Sequence, residues 1–162
     1  MSLTVLAWLA VAAYALHVVE EHMLGWFDWA RKTMNLSMTW EQYLISEVAI
    51  LILGITAASL AATPIGPILV VAFATLLFIN VVVFHIIPML TNSGRFSPGV
   101  LTGIVLFLPL CWLVYNAQKL TPNEQILAVA IGAAVLGWLW LLTVLKGQRY
   151  FSGAPAPSKR KR

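Results

Sequence analysis

Two histidines and two glutamates fall together in the stretch LHVVEEH, as His17, Glu20, Glu21 and His22. On a helix, His17, Glu20 and Glu21 stand at i, i+3 and i+4, so the three share one face. Imidazoles and carboxylates on a common face offer two kinds of chemistry. They can ligate a divalent metal ion, as side chains of facing helices do in bundles, or they can act as general acid and base. Carboxylate-bridged bundle sites use a Glu-x-x-His pair, whereas the order here is His-x-x-Glu. Later in the chain Glu47, Asn80 and His85 add groups of the same kind. The candidate catalytic residues are therefore His17, Glu20, Glu21, Glu47 and His85, and the candidate metal ligands are His17, Glu20, Glu21 and His85. A metal requires neutral imidazoles and ionised carboxylates, so its binding weakens as the pH falls.

The elements that hold these residues must be membrane helices. The chain has 162 residues, of which 60% are hydrophobic and 10% charged, against roughly a quarter charged in soluble domains. A domain near 150 residues still exposes about 30% of its unfolded surface. That much apolar surface must meet lipid, in line with a mean hydropathy of +0.88. The net charge of +4 is no sign of nucleic-acid binding, because Lys159, Arg160, Lys161 and Arg162 supply four of the ten basic residues. Cys111 is the single cysteine, which excludes an internal disulfide. The first apolar run lacks a basic leader, which argues against a cleavable signal peptide.

The expected fold class is all-α, a polytopic bundle of five transmembrane helices. A span needs about 20 mostly apolar residues, and five segments qualify: about Leu3–Leu24, Tyr43–Ala62, Ile65–Met89, Gly99–Gln118 and Gln125–Leu145. Asp28 to Trp40 reads as a polar and aromatic connection, and Thr63–Pro67 as a tight turn. Thr121 is a candidate N-cap, with Pro122 at the first helical position and Glu124 in the first turn. Residues 1–150 form the membrane domain, and 151–162 a disordered basic tail. Nine basic residues, Arg31, Lys32, Arg95, Lys146, Arg149 and the terminal four, share one side, against Lys119 on the other. The positive-inside rule then places the C-terminus in the cytoplasm and the N-terminus outside. Trp26, Trp29, Trp40, Trp138 and Trp140 are read as a cytoplasmic aromatic belt.

Direction turns the polar residues into a layer. His17 lies roughly 10 Å from the cytoplasmic end of its helix, Glu47 about 9 Å, His85 about 6 Å and Asn80 about 14 Å deep, at 1.5 Å per residue. Ionisable groups at such depth usually face the bundle interior and carry function. Structural readings stand beside this one. His22 points away from His17 and suits the interface. Asn80 can bond between helices. His85 can bind the Phe84 carbonyl that Pro88 leaves unpaired, and Glu47 can pair with His17 or His85. Asn80 and His85 are five residues apart, about 140° round an α-helix, so an α-helix does not turn them to one cavity. Small residues at Gly54/Ala58, Ala57/Ala61, Ala128/Gly132 and Ala133/Gly137 allow close helix approach.

His17-Val-Val-Glu20-Glu21, together with Asn80, His85 and Phe96-Ser97-Pro98-Gly99, resembles the HXXEE family of small bacterial integral membrane proteins. The resemblance covers about Val11 to Pro109. The family pattern sets Asn and His four apart and often has Tyr as the aromatic; here the spacing is five and the aromatic is Phe. The family has no established activity. The resemblance implies that His17, Glu20 and Glu21 act together, with Asn80, His85, Pro98 and Gly99 as companions, the last two shaping a loop at the site's mouth. It also implies a bacterial cytoplasmic membrane.

The expected function is a membrane enzyme acting on an apolar, lipid or isoprenoid-like substrate in the cytoplasmic leaflet, metal-bound or by acid–base chemistry. A proton-coupled transporter and an accessory subunit of a membrane complex are the alternatives. The polar residues stop within one leaflet and no inverted repeat is visible, which disfavours transport. No cofactor is fixed by the sequence alone, a divalent metal ion being the candidate; the expected partners are membrane lipid and an apolar small molecule, and the oligomeric state is open.

Overall fold

The stripe Leu6, Ala7, Ala10, Val11, Ala13 and Tyr14 is buried along the first helix, and the same stripe ends in His17 and Glu21. The bundle is thus apolar along most of its length and polar at one end. The computed structural model describes residues 1–36, 38–91 and 95–146, with the backbone alone for 139–140 and 142–146. The 151–162 tail, Arg149 and the side chains of Lys146 and Trp140 lie outside the described residues.

Helix α1 (Leu3–Leu24) starts where the Ser2 hydroxyl accepts the Val5 N–H and ends at Gly25, whose φ of +75° reverses the chain. A short amphipathic helix, α2 (Trp26–Thr33), follows at once. The sequence reading had a plain connection here. The reason for the difference is local: Gly25 stops one helix, and Trp26 and Ala30, four apart, bury one face of the next. Helix α3 (Trp40–Ser59) is held by a capping box between Thr39 and Gln42. Helix α4 (Gly66–Thr91) and helix α5 (Val100–Ala117) follow. Helix α6 (Pro122–Lys146) begins as the sequence suggests, the Glu124 carboxylate accepting from Thr121 N–H at 2.8 Å.

Helices α4 and α5 each contain a stretch of wider, i→i+5 turns, at Val81–Ile86 and Gly103–Phe107. Each stretch ends two residues before a proline, Pro88 or Pro109. Proline has no N–H to give the carbonyl four residues back, and the wider turn re-pairs the ladder through Ile87 N–H to Val82 O and Leu108 N–H to Gly103 O.

Helix α4 is central and packs on α3, α5 and α6, while α1 lies against α3 and α5. The α4–α6 contact is close: a Cβ at Gly132 would strike the Ala72 backbone. Among the described residues four helices, α1, α3, α4 and α5, are long and apolar enough to cross a membrane. Their outer faces carry exposed Trp8, Ile45, Ile52 and Trp112. An apolar exterior around a bundle of this kind fits a protein that sits in a membrane.

Candidate functional site

The end of α1, the start of α3, the wide turn of α4 and the start of α5 meet at the polar end of the bundle. There His17, Glu21 and His85 come together, with relative exposures of 1%, 3% and 0%. The Glu21 Oε1 atom lies 3.4 Å from His17 Nε2 and 3.3 Å from His85 Nε2. The two imidazoles stand nearly perpendicular, 4.9 Å between centroids. Carboxylate oxygen and both ring nitrogens lie within 4.8 Å of one another. Asn80 joins the group, its Oδ1 3.2 Å from His85 Nε2. The wide turn explains this: in i→i+5 geometry a residue five positions on stands about one turn ahead, so Asn80 and His85 share a face that an α-helix would deny them.

Hydrogen-bond partners assign the ring nitrogens. His85 Nδ1 is 2.8 Å from the Pro98 carbonyl oxygen, which can only accept, so Nδ1 carries a proton. His17 Nδ1 is 2.9 Å from Thr102 Oγ1, and the Thr102 hydroxyl donates to the Gly99 carbonyl at 3.2 Å. That leaves Thr102 Oγ1 an acceptor and His17 Nδ1 a donor. In neutral imidazole the other nitrogen, Nε2, then presents its lone pair. Both lone pairs converge on a carboxylate that also has only lone pairs to offer, and His17 Nε2, fully buried, has no hydrogen-bond partner. Such convergence is stable only around positive charge, a bound cation or added protons. The expectation that His85 binds the Phe84 carbonyl does not hold: its Nδ1 is committed to the Pro98 carbonyl.

Glu20 turns elsewhere. Its Oε1 accepts from Gly99 N–H at 2.9 Å and Leu101 N–H at 3.3 Å, and its Oε2 from Thr102 N–H at 2.8 Å. It is thus an N-terminal cap for α5, donated by α1, where the backbone N–H groups are otherwise unpaired. Gly99 is pinned from both sides. Its φ is +87°, and a Cβ there would lie 2.7 Å from Cε1 of both His17 and His85. Pro98 and Gly99 are therefore more than a loop at the mouth: a carbonyl and an N–H of this dipeptide lie inside the site.

Residues 8–115 match the profile of a family described as proteins of unknown function with an HXXEE motif. The chain belongs to the HXXEE family. Neither a curated protein nor a solved structure matches it. The HXXEE motif here is His17 to Glu21, and its two glutamates part company, Glu21 to the histidines and Glu20 to the α5 backbone.

Glu47 lies beside the HXXEE cluster but does not pair with His17 or His85. Its Oε2 accepts the Tyr14 hydroxyl at 2.6 Å. Tyr43, four residues before Glu47, donates to Glu21 Oε2 at 3.1 Å. Glu21, Tyr43, Ser46, Glu47 and Asn80 together line a cavity of about 70 Å³, along with Trp26, Met38 and Phe84 among others. Tyr43 is not among the candidate site residues of the sequence, Ser97 enters there only within the Phe96–Gly99 motif, and Trp26 only as part of the aromatic belt. Tyr43 carried one usable signal, its i, i+4 spacing to Glu47. Trp26 was read as interfacial belt, yet it is buried, 5.9 Å from the His85 ring and 5.6 Å from Tyr43. Trp40, Trp138 and His22 are exposed, the His22 ring tilted against Trp40 at 5.7 Å between centroids.

Proposed function

We propose that this protein is a membrane enzyme whose cluster of His17 Nε2, His85 Nε2 and Glu21 holds one divalent transition-metal ion and acts on an apolar substrate. The observation that carries the reading is the convergence of two locked Nε2 lone pairs on one buried carboxylate. Separations of 3.3 and 3.4 Å match the edge of a tetrahedron with bonds of about 2.0–2.1 Å. Two imidazoles and a carboxylate are a donor set used by zinc hydrolases and by non-haem iron(II) enzymes. Thr102 and the Pro98 carbonyl would orient the two rings, as outer partners of metal-bound histidines do. An ion held there supplies Lewis acidity, and the Glu21-lined cavity gives a substrate access to it. Tyr43 and Glu47 border that cavity as proton donor and acceptor.

The reading extends to topology. Five spans, α1 and α3 to α6, with the basic loops on the cytoplasmic side, place the cluster in the inner leaflet of a bacterial cytoplasmic membrane. The remainder of the bundle core, around Leu6, Val71 and Leu77, is apolar, which supports a one-leaflet site over a conduction path. A metal-free second reading has one specific support, the 3.2 Å approach of Asn80 Oδ1 to His85 Nε2. A proton on that nitrogen would satisfy both oxygens and make His85 an acid.

The test of the enzyme reading is turnover. Wild type and His85→Ala are reconstituted with total membrane lipid, and the lipids are followed by mass spectrometry. Consumption of one species and growth of another with wild type alone is expected. An unchanged lipid profile would sink the enzyme reading.

A further inference from the structure

A second cavity, of about 90 Å³, lies further along α3, α4 and α6, three of the helices that line the first. It is lined by Leu53, Ala57, Phe73, Leu76, Gly132 and Val135 among others. On α3 the walls pass from Glu47 and Ile50 to Leu53 and Ala57. On α4 they pass from Asn80 to Leu76 and Phe73, and on α6 from Leu136 to Gly132. The two cavities lie in line along α3, α4 and α6, and we read them as one furrow between α3 and α6 with α4 as its floor. One end is polar and the rest is apolar. From Glu47 to Ala57 it runs about 15 Å at 1.5 Å per residue, half of the ~30 Å hydrocarbon thickness.

Resting on the functional reading above, we infer that the substrate is a single-chain amphiphile with an uncharged, oxygen-bearing head, its tail lying in the α3–α4–α6 furrow. Three observations select this class. Cavities of about 70 and 90 Å³ leave width for one chain and none for a two-tailed lipid. Glu21 and Glu47 line the head end, and no lysine or arginine does among the described residues, so no side chain there offers an anionic head a counter-charge. Trp26 lines the same end with 7% exposure, and its buried indole N–H has no hydrogen-bond partner. An alcohol, ester or amide oxygen supplies the missing acceptor, and an alcohol O–H can in turn donate to a carboxylate.

The test is photolabelling of the full-length protein in nanodiscs with a diazirine-bearing sixteen-carbon alcohol, compared with the matching carboxylate and a two-tailed phosphatidylcholine probe. Labelled peptides are read by mass spectrometry. Expected is saturable labelling on Leu53–Ala57, Leu69–Leu76 and Ile131–Val135, competed by unlabelled alcohol, with at least about tenfold less from the carboxylate. Leu53→Trp, which fills the furrow from its half-exposed rim, should abolish that labelling. Trp26→Phe should weaken it about fivefold, on the order of one neutral hydrogen bond. Equal labelling by all three probes, or labelling spread evenly over lipid-facing Trp8 and Trp112, would overturn the inference. So would cross-links from the furrow to a second copy of the chain, which would make it a helix–helix interface. His17→Ala separates the two proposals, because His17 belongs to the cluster but lines neither cavity: furrow labelling must survive in it even though the ion is lost. Labelling without metal in wild type would leave the furrow standing and remove the metal.

Discussion

Glu20 and Glu21 are neighbours of one residue type on one helix, yet they serve two regions built on different principles. The region around Glu20 is backbone chemistry: three N–H groups of the loop and first turn of α5 close on a partly exposed carboxylate. The region around Glu21 is side-chain chemistry: two imidazoles and a tyrosine close on a buried one. A carboxylate satisfied by backbone donors holds a fold together and has little left to offer a ligand. A carboxylate faced by lone pairs needs a cation or protons to be stable at all. The same motif thus supplies both the scaffold and the site, and Gly99 touches both, its N–H on Glu20 and its α-carbon against His17 and His85.

Substitutions can break this division in order of effect. Glu21→Ala or His17→Ala should lower metal affinity by more than about 100-fold, beyond the 10–100-fold typical of outer partners, measured by competition with a chelating dye. Gly99→Ala should damage both regions, because a left-handed non-glycine costs about 1–3 kcal/mol and the new methyl meets both imidazoles. Thermal unfolding in detergent and metal affinity should therefore fall together. Glu20→Gln should destabilise by about 1–2 kcal/mol, the scale of a lost helix cap with its charge, while the ion stays bound. Loss of the ion in that variant, with the helices intact by circular dichroism, would erase the distinction between the two glutamates. Thr102→Val is the finest probe. It removes the acceptor that orients His17, and metal affinity should drop about tenfold with little change in unfolding temperature.

Much of the bundle could be read from the sequence, since long apolar runs and their Pro, Gly and Thr boundaries are local signals. Thr121, Pro122 and Glu124 announced α6, and His17 and Glu21 were legible as a shared face. The site's closure was not. Asn80 meets His85 only because the helix widens ahead of Pro88, a change of period that a wheel drawn at 100° per residue misses. Glu20's role depends on an approach by α5 from eighty residues away, and no spacing within the motif separates it from Glu21. Trp26 has the composition of an interfacial residue and became a wall of the site because Gly25 turns α2 back across the bundle end.

Elemental analysis of the detergent-purified wild type beside Glu21→Gln and Glu20→Gln is the most direct test of the central claim. Expected is one divalent transition-metal ion per chain in wild type, retained in Glu20→Gln and lost in Glu21→Gln, with its identity telling zinc from iron chemistry. Folded wild type without metal, or equal loss in both variants, would contradict it.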